Sequence, residues 1–184
     1  MDTQNTINIM NFIQLPDNEK VELINQMHEE TKLPQVIIEK DLWVTVVLRA
    51  LFALPYAENL SFKGGTSLSK CWNLIERFSE DVDIAINREF FGFIGNSFTI
   101  NQINKLRKSA CKFIRNNLQY DLVRQMEANG VPALFSVKVN ITPETTIDPE
   151  KIFVEYKSVF SASPYIKNTV VLEIGGHSIY GLTP

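Results

Sequence analysis

The chain has 184 residues, 45% of them hydrophobic and 21% charged, which is enough for one domain with a sizeable buried core. Its formal net charge of −3 excludes a globally basic nucleic-acid binder, so any contact with a polyanion must come from a local cluster. Cys71 and Cys111 are the only cysteines, which excludes a disulfide framework or a thiolate metal site and points to the reducing cytoplasm.

Met1 to Asn11 has no basic region followed by an apolar run, so it does not read as a secretory signal. Asp17 precedes a helical pattern to about Thr31, with Val21, Ile24 and Met27 on one stripe. Pro34 suits the first position of a second helix, reaching about Leu54. That helix is apolar almost all round, which implies burial. Its apolar run from Leu42 to Pro55 is too short, and too interrupted by Thr45 and Arg49, to span a bilayer. The charged insert Glu39-Lys40-Asp41 reads as a solvated helix end or as a face turned to a ligand cleft.

Asn59 to Lys63 predicts a short strand, followed by the turn Gly64-Gly65 and a helix from Thr66 or Ser67 to about Phe78. Asp81 to Ile86 predicts a strand, and Phe90 to Phe98 a Gly- and Phe-rich loop. A long amphipathic helix is expected from Asn101 to about Asn129, stopped by Gly130. Strands near Ala133–Ile141, Ile152–Tyr156 and Thr169–Ile174 follow, separated by proline-bearing loops. The pattern indicates an α+β domain with a mixed sheet: an N-terminal helical segment over residues 1–56 and a main lobe over 57–184.

Two short motifs carry the chemistry. Glycines between a strand and a helix start allow positive φ and close backbone approach, and a helix start is a natural seat for phosphate oxygens. Thr66 or Ser67 can cap that helix or contact a phosphate, and Lys63 and Lys70 flank the turn with positive charge. The competing reading is a capped strand-to-helix turn and nothing more. Neither a P-loop nor a Rossmann glycine pattern is present.

The second motif is Asp81-Val82-Asp83. Residues i and i+2 of a strand share a face, so both carboxylates point one way while Val82, Ile84 and Ile86 enter the core. Adjacent carboxylates repel unless a cation lies between them, and Mg²⁺ prefers such oxygens together with substrate phosphates. Glu173, inside the apolar run Val170–Ile174, needs a metal, a basic partner or an exposed face. Lys70, Leu74 and Arg77 share one helix face, where the two basic residues either neutralise a triphosphate or form a solvated stripe. His28 and His177 have no convincing partners, and the phenylalanines sit at core spacing.

Phe62-Lys63-Gly64-Gly65-Thr66-Ser67-Leu68-Ser69-Lys70 followed by Arg77-Phe78-Ser79-Glu80-Asp81-Val82-Asp83 resembles the AbiEii/AbiGii toxin family, within the polymerase β-like nucleotidyltransferase superfamily. Ile38–Thr45, the helix from Asn101 and Val171–Gly175 are similar to that family as well. The resemblance implies Asp81, Asp83 and Glu173 as catalytic ligands of one or two Mg²⁺ ions. Lys63, Gly64, Gly65, Thr66, Ser67, Lys70 and Arg77 would bind the nucleotide. It further implies transfer of a nucleoside monophosphate from an NTP to an acceptor, RNA or tRNA among the candidates, with release of pyrophosphate. A separately encoded antitoxin is the implied protein partner. Members usually continue into a helical C-terminal part, which the stretch to Pro184 lacks, so an incomplete cleft is expected. A non-catalytic protein that binds nucleotide or antitoxin is the second reading.

Overall fold

The computed structural model describes residues 11–70, 81–95, 97–139, 149–161 and 165–176. In chain order these form α1 (Asp17–Thr31), α2 (Gln35–Leu51), β1 (Leu60–Lys63), α3 (Gly64–Lys70) and β2 (Asp81–Ile86). Next come α4 (Ile100–Phe113), a π-helical segment (Ile114–Leu118), α5 (Gln119–Ala128), β3 (Phe135–Val139), β4 (Glu150–Tyr156) and β5 (Thr169–Gly175). The strands lie in the order β1-β2-β5-β4-β3. Only β2 and β5 run parallel; the other pairs are antiparallel. The expected mixed sheet of an α+β domain is present.

Strand alternation divides the sheet into two unlike faces. Val82, Ile84 and Ile86 of β2, Ile152, Val154 and Tyr156 of β4, and Val170, Leu172 and Ile174 of β5 are all buried. They form one core with α2, α4 and α5, in which Trp43 of α2 stacks on Tyr156 at 4.9 Å between ring centroids. The opposite face carries Asp81, Asp83, Lys151, Glu155 and Glu173.

Several boundaries differ from expectation for identifiable reasons. Pro34 has ψ 139° and stands just outside α2, as its cap. The helix ends at Leu51 because Pro55 disfavours helical backbone at the residue before it, and the Ala53 and Leu54 N–H groups turn back to Ala50 and Leu51. The glycine-led helix starts at Gly64, before the expected Thr66 or Ser67, and the expected stretch from residue 71 to Phe78 lies outside the described residues. The long helix opens at Ile100 on a Thr99–Gln102 capping box. It is interrupted by the π turn, whose extra residue offsets the drift of the four-residue spacing from Leu106 through Ile114 and Leu118 to Met126 and so keeps that run in the core, while Arg115 meets Glu150 of β4 at 2.5 Å. Gly130, at φ 79°, is the expected stop.

The stripe expected on α1 is only partly buried. Ile24 is in the core, Met27 is 38% exposed, and the inner face runs instead through Lys20. His28 is structural, its Nδ1–H donating to the Leu33 carbonyl at 2.7 Å. His177 lies outside the described residues. The expected loop at Phe90–Phe98 begins with a 3₁₀ turn, Arg88–Phe91, capped by Asn87. It delivers Phe90 and Phe91 to Tyr56 and Phe113, with ring centroids 5.0 to 5.9 Å apart.

A solvated end is the wrong account of Glu39-Lys40-Asp41. Glu39 is 3% exposed and Lys40 1%, because the segment lies inside α2 where the helix packs on the domain. The Glu39 carboxylate accepts hydrogen bonds from Ser158 Oγ and from the Val159 N–H at 2.9 Å, tying the turn after β4 to the helix. Burial holds this carboxyl above its usual range, opposed by those two hydrogen bonds. A cavity with room for about one water adjoins Glu39, Trp43 and Lys157. Replacing Glu39 by Ala leaves the Ser158 and Val159 donors without their acceptor. The expected loss is about 1–3 kcal/mol of stability in urea denaturation, with the secondary structure retained.

Candidate active site

The site is built where β1 ends. Lys63, the last residue of β1, lies opposite Asp83 of β2, and the chain turns at once into α3. Gly64 has φ 72°, a conformation that L side chains rarely adopt. A Cβ at Gly64 would lie 1.9 Å from Asp83 Oδ2 and 2.7 Å from its Cγ. Glycine is therefore required twice, by backbone conformation and by the carboxylate against it. The two sequence motifs meet at this contact.

Thr66 and Ser67 are buried. The Thr66 hydroxyl donates to the Asp81 carbonyl at 2.5 Å, so it fastens the start of α3 to the carboxylate strand. Gly65 is partly buried and Lys63 is exposed. Lys70 is the last described residue of α3, and Arg77 lies outside the described residues.

The parallel β2–β5 register places Glu173 beside Asp83 and Val171 beside Asp81. The antiparallel β4–β5 register then places Lys151 beside Glu173. One row on the open sheet face thus reads Lys63, Asp83, Glu173, Lys151 across four strands, with Asp81 at the next position along β2. The Lys151 ammonium meets the Glu173 carboxylate at 2.6 Å. That hydrogen bond and the carboxylate charge push the Lys151 pKa up. The Asp83 carboxyl is raised as well, first by desolvation and then by the Glu173 and Asp81 charges, against an opposing pull from Lys63.

Asp81, Asp83 and Glu173 offer the hard oxygen donors that suit Mg²⁺, and the β2–β5 register sets Asp83 and Glu173 side by side. The donor chemistry fits that ion. As they stand, though, no three acidic, His or Cys side chains among the described residues are gathered closely enough to hold a metal. Glu173 spends its charge on Lys151 instead, so a cation on all three carboxylates must first take Glu173 from its lysine.

Lys151 was not among the residues singled out by sequence. The sequence pattern sets the strand near Ile152–Tyr156, with Lys151 just outside it. Had β4 been started at Glu150, alternation alone would have set Lys151 on the polar face. Its neighbour Glu173 follows only from strand order.

The family model described as "Nucleotidyl transferase AbiEii toxin, Type IV TA system" matches residues 46–184. The chain belongs to the AbiEii family. The matched stretch holds the glycine turn and all five strands, and therefore every residue of the charged row. AbiEii proteins are nucleotidyltransferase toxins of type IV toxin–antitoxin systems, which brings a nucleotide substrate and a cognate antitoxin with the family. No curated protein and no solved structure matches the chain. No helix among the described residues is long and apolar enough to cross a membrane.

Two outcomes follow for the AbiEii turn and carboxylates. Gly64→Ala should cost at least about 1 kcal/mol in chemical denaturation, from its positive φ alone, with the clash adding to it. In an Asp83→Ala background the contacts to the carboxylate are gone, only the residue-83 Cβ at 3.1 Å remains, and the cost should fall; equal costs in both backgrounds would contradict the close contact. Asp83→Asn, measured in EDTA, should raise Tm by a few degrees near neutral pH. The folded-state pKa of Asp83 is raised, so ionising it weakens the fold above that value, whereas the protonated acid below the ordinary carboxylate range carries no penalty. The advantage of Asn over Asp should therefore shrink as the pH falls into the carboxylate range.

Proposed function

We propose that this chain transfers a nucleoside monophosphate from an NTP to an acceptor hydroxyl, releasing pyrophosphate, on the open face of its sheet. The observation that carries the proposal is the contact between Gly64 and Asp83, which unites a glycine turn and paired carboxylates at one point. Such a turn lets phosphate oxygens approach the backbone of Gly64 and Gly65 closely. Lys63 stands beside it as the positive charge nearest the turn, with Lys70 and Arg77 as further candidates for the triphosphate. Thr66 holds the turn in place from inside, and Ser67 is buried beside it.

Asp81, Asp83 and Glu173 are the residues we assign to Mg²⁺. When bound, the ion supplies Lewis-acid stabilisation of charge building on the phosphoryl oxygens and the leaving pyrophosphate. The chain's own residues supply orientation: β2 and β5 fix the carboxylates on a rigid face, so that α-phosphate and acceptor hydroxyl are presented together. RNA, including tRNA, is the acceptor class we assign, in the reducing cytoplasm.

The Lys151–Glu173 pair favours a second reading, in which the third carboxylate stays tied up and the chain binds nucleotide or antitoxin without turnover. Incubation with each α-labelled NTP, Mg²⁺ and total RNA separates the two. Labelled RNA is expected, with Asp81→Ala, Asp83→Ala and Glu173→Ala each reducing labelling at least about 100-fold. Saturable NTP binding without label transfer supports the second reading. Absence of NTP binding at millimolar ligand overturns the transferase reading and the nucleotide-binding form of the second, leaving only antitoxin binding.

A further inference from the structure

Lys151 is the least explained charge on the open face. It precedes the inward-facing Ile152 and follows Glu150, whose side chain is buried and paired with Arg115 on the opposite face of the sheet. Two adjacent residues of β4 thus form ion pairs on opposite sides of the sheet. The Arg115–Glu150 pair is buried, and breaking it strands a charge in the core. The Lys151–Glu173 pair is of another kind, with the lysine side chain 47% exposed and the glutamate 23%. Half-exposed pairs of this sort contribute little to stability and exchange readily.

Its position gives such a weak contact a role. Glu173 is the register neighbour of Asp83, and Asp81 lies two residues before Asp83 on the same face, so three carboxylates crowd one patch. Like charges so placed oppose one another unless a cation is present. On the far side from Lys63, Lys151 is the cation that the fold itself provides, and the Asp81 charge also acts on it.

We propose that Lys151 is a resident counter-ion for the carboxylate patch, neutralising Glu173 until a divalent cation displaces its ammonium. The inference rests on the assignment of Asp81, Asp83 and Glu173 to a metal. The side chain is long and flexible, so its ammonium can leave Glu173 and stay over the open face, where it meets an arriving triphosphate. Lys151 is in this account a positioning residue: it sets the charge state of the patch before substrate arrives, and it keeps Glu173 from binding a cation at no cost.

Mn²⁺ binding followed by electron paramagnetic resonance tests this without any turnover. Lys151→Met keeps the apolar stem and removes the competitor, so it should bind Mn²⁺ at least about threefold more tightly than the unsubstituted chain. In EDTA the same variant should melt at a lower temperature, and its rise in Tm on adding Mn²⁺ should exceed that of the unsubstituted chain. In a Glu173→Gln background, Lys151→Met should no longer change Mn²⁺ affinity. Lys151→Gln, neutral and able to keep a hydrogen bond to Glu173, reads in the same direction and serves if the methionine variant does not fold. Unchanged or weaker Mn²⁺ binding in the neutral variants overturns the counter-ion role while leaving the metal assignment intact. Absence of Mn²⁺ binding by the unsubstituted chain and the neutral variants alike overturns the metal assignment and the inference with it.

Discussion

The missing side chain at Gly64 is the constraint on which the site depends. Antiparallel pairing of β1 and β2 sets Lys63 opposite Asp83, and the chain must turn away directly afterwards. The space where a Cβ would stand is already filled by the Asp83 carboxylate. Positive φ at Gly64 redirects the backbone into α3, and the Thr66 hydroxyl, buried against the strand, holds that helix to the Asp81 carbonyl. The glycine turn and the strand that presents the carboxylates are thereby one rigid object. Geometry of this kind lets electrostatic groups act without reorganising.

The sheet separates two kinds of electrostatics. Its covered face buries branched aliphatic side chains of β2, β4 and β5 against α2, α4 and α5, and among its buried charges Arg115 is paired with Glu150 and Glu39 is hydrogen-bonded by Ser158 and Val159. Removing one partner there uncovers a charge or donor that water cannot reach. The open face tolerates a row of alternating pairs of charge, positive at Lys63 and Lys151 and negative between them, because solvent screens it. That tolerance makes the row usable, since a screened pair can be exchanged for a ligand's charges. The AbiEii match spans both faces and gives the row a chemical setting.

Much of the architecture was legible in the sequence because it follows from local rules. Period-two alternation in Asp81–Ile86 separated carboxylates from core, and Gly130 marked the end of the long helix. Where local rules failed, tertiary packing was the cause. Glu39 and Lys40 read as solvated by charge, yet α2 is central and the turn after β4 supplies donors to Glu39. Met27 read as core by spacing, yet the inner face of α1 runs through Lys20 and Ile24. The π turn at Ile114–Leu118 accompanies a buried run at strict four-residue spacing, Leu106, Ala110, Ile114, Leu118, Leu122 and Met126, which a regular helix would gradually rotate out of the core.

By itself the sequence determined which residues are chemically capable and which share a face: the glycine turn, the Asp81–Asp83 pair, and Glu173 as a carboxylate in need of a partner. These are properties of one strand or one turn, set by backbone stereochemistry within a few residues. Only the tertiary structure decided who stands beside whom. The order β1-β2-β5-β4 placed Glu173 next to Asp83 and gave it Lys151, and the β1–β2 register pressed Asp83 against Gly64. Strand order and register join residues far apart in the chain by hydrogen bonding and core burial. A local pattern carries no record of its distant partner.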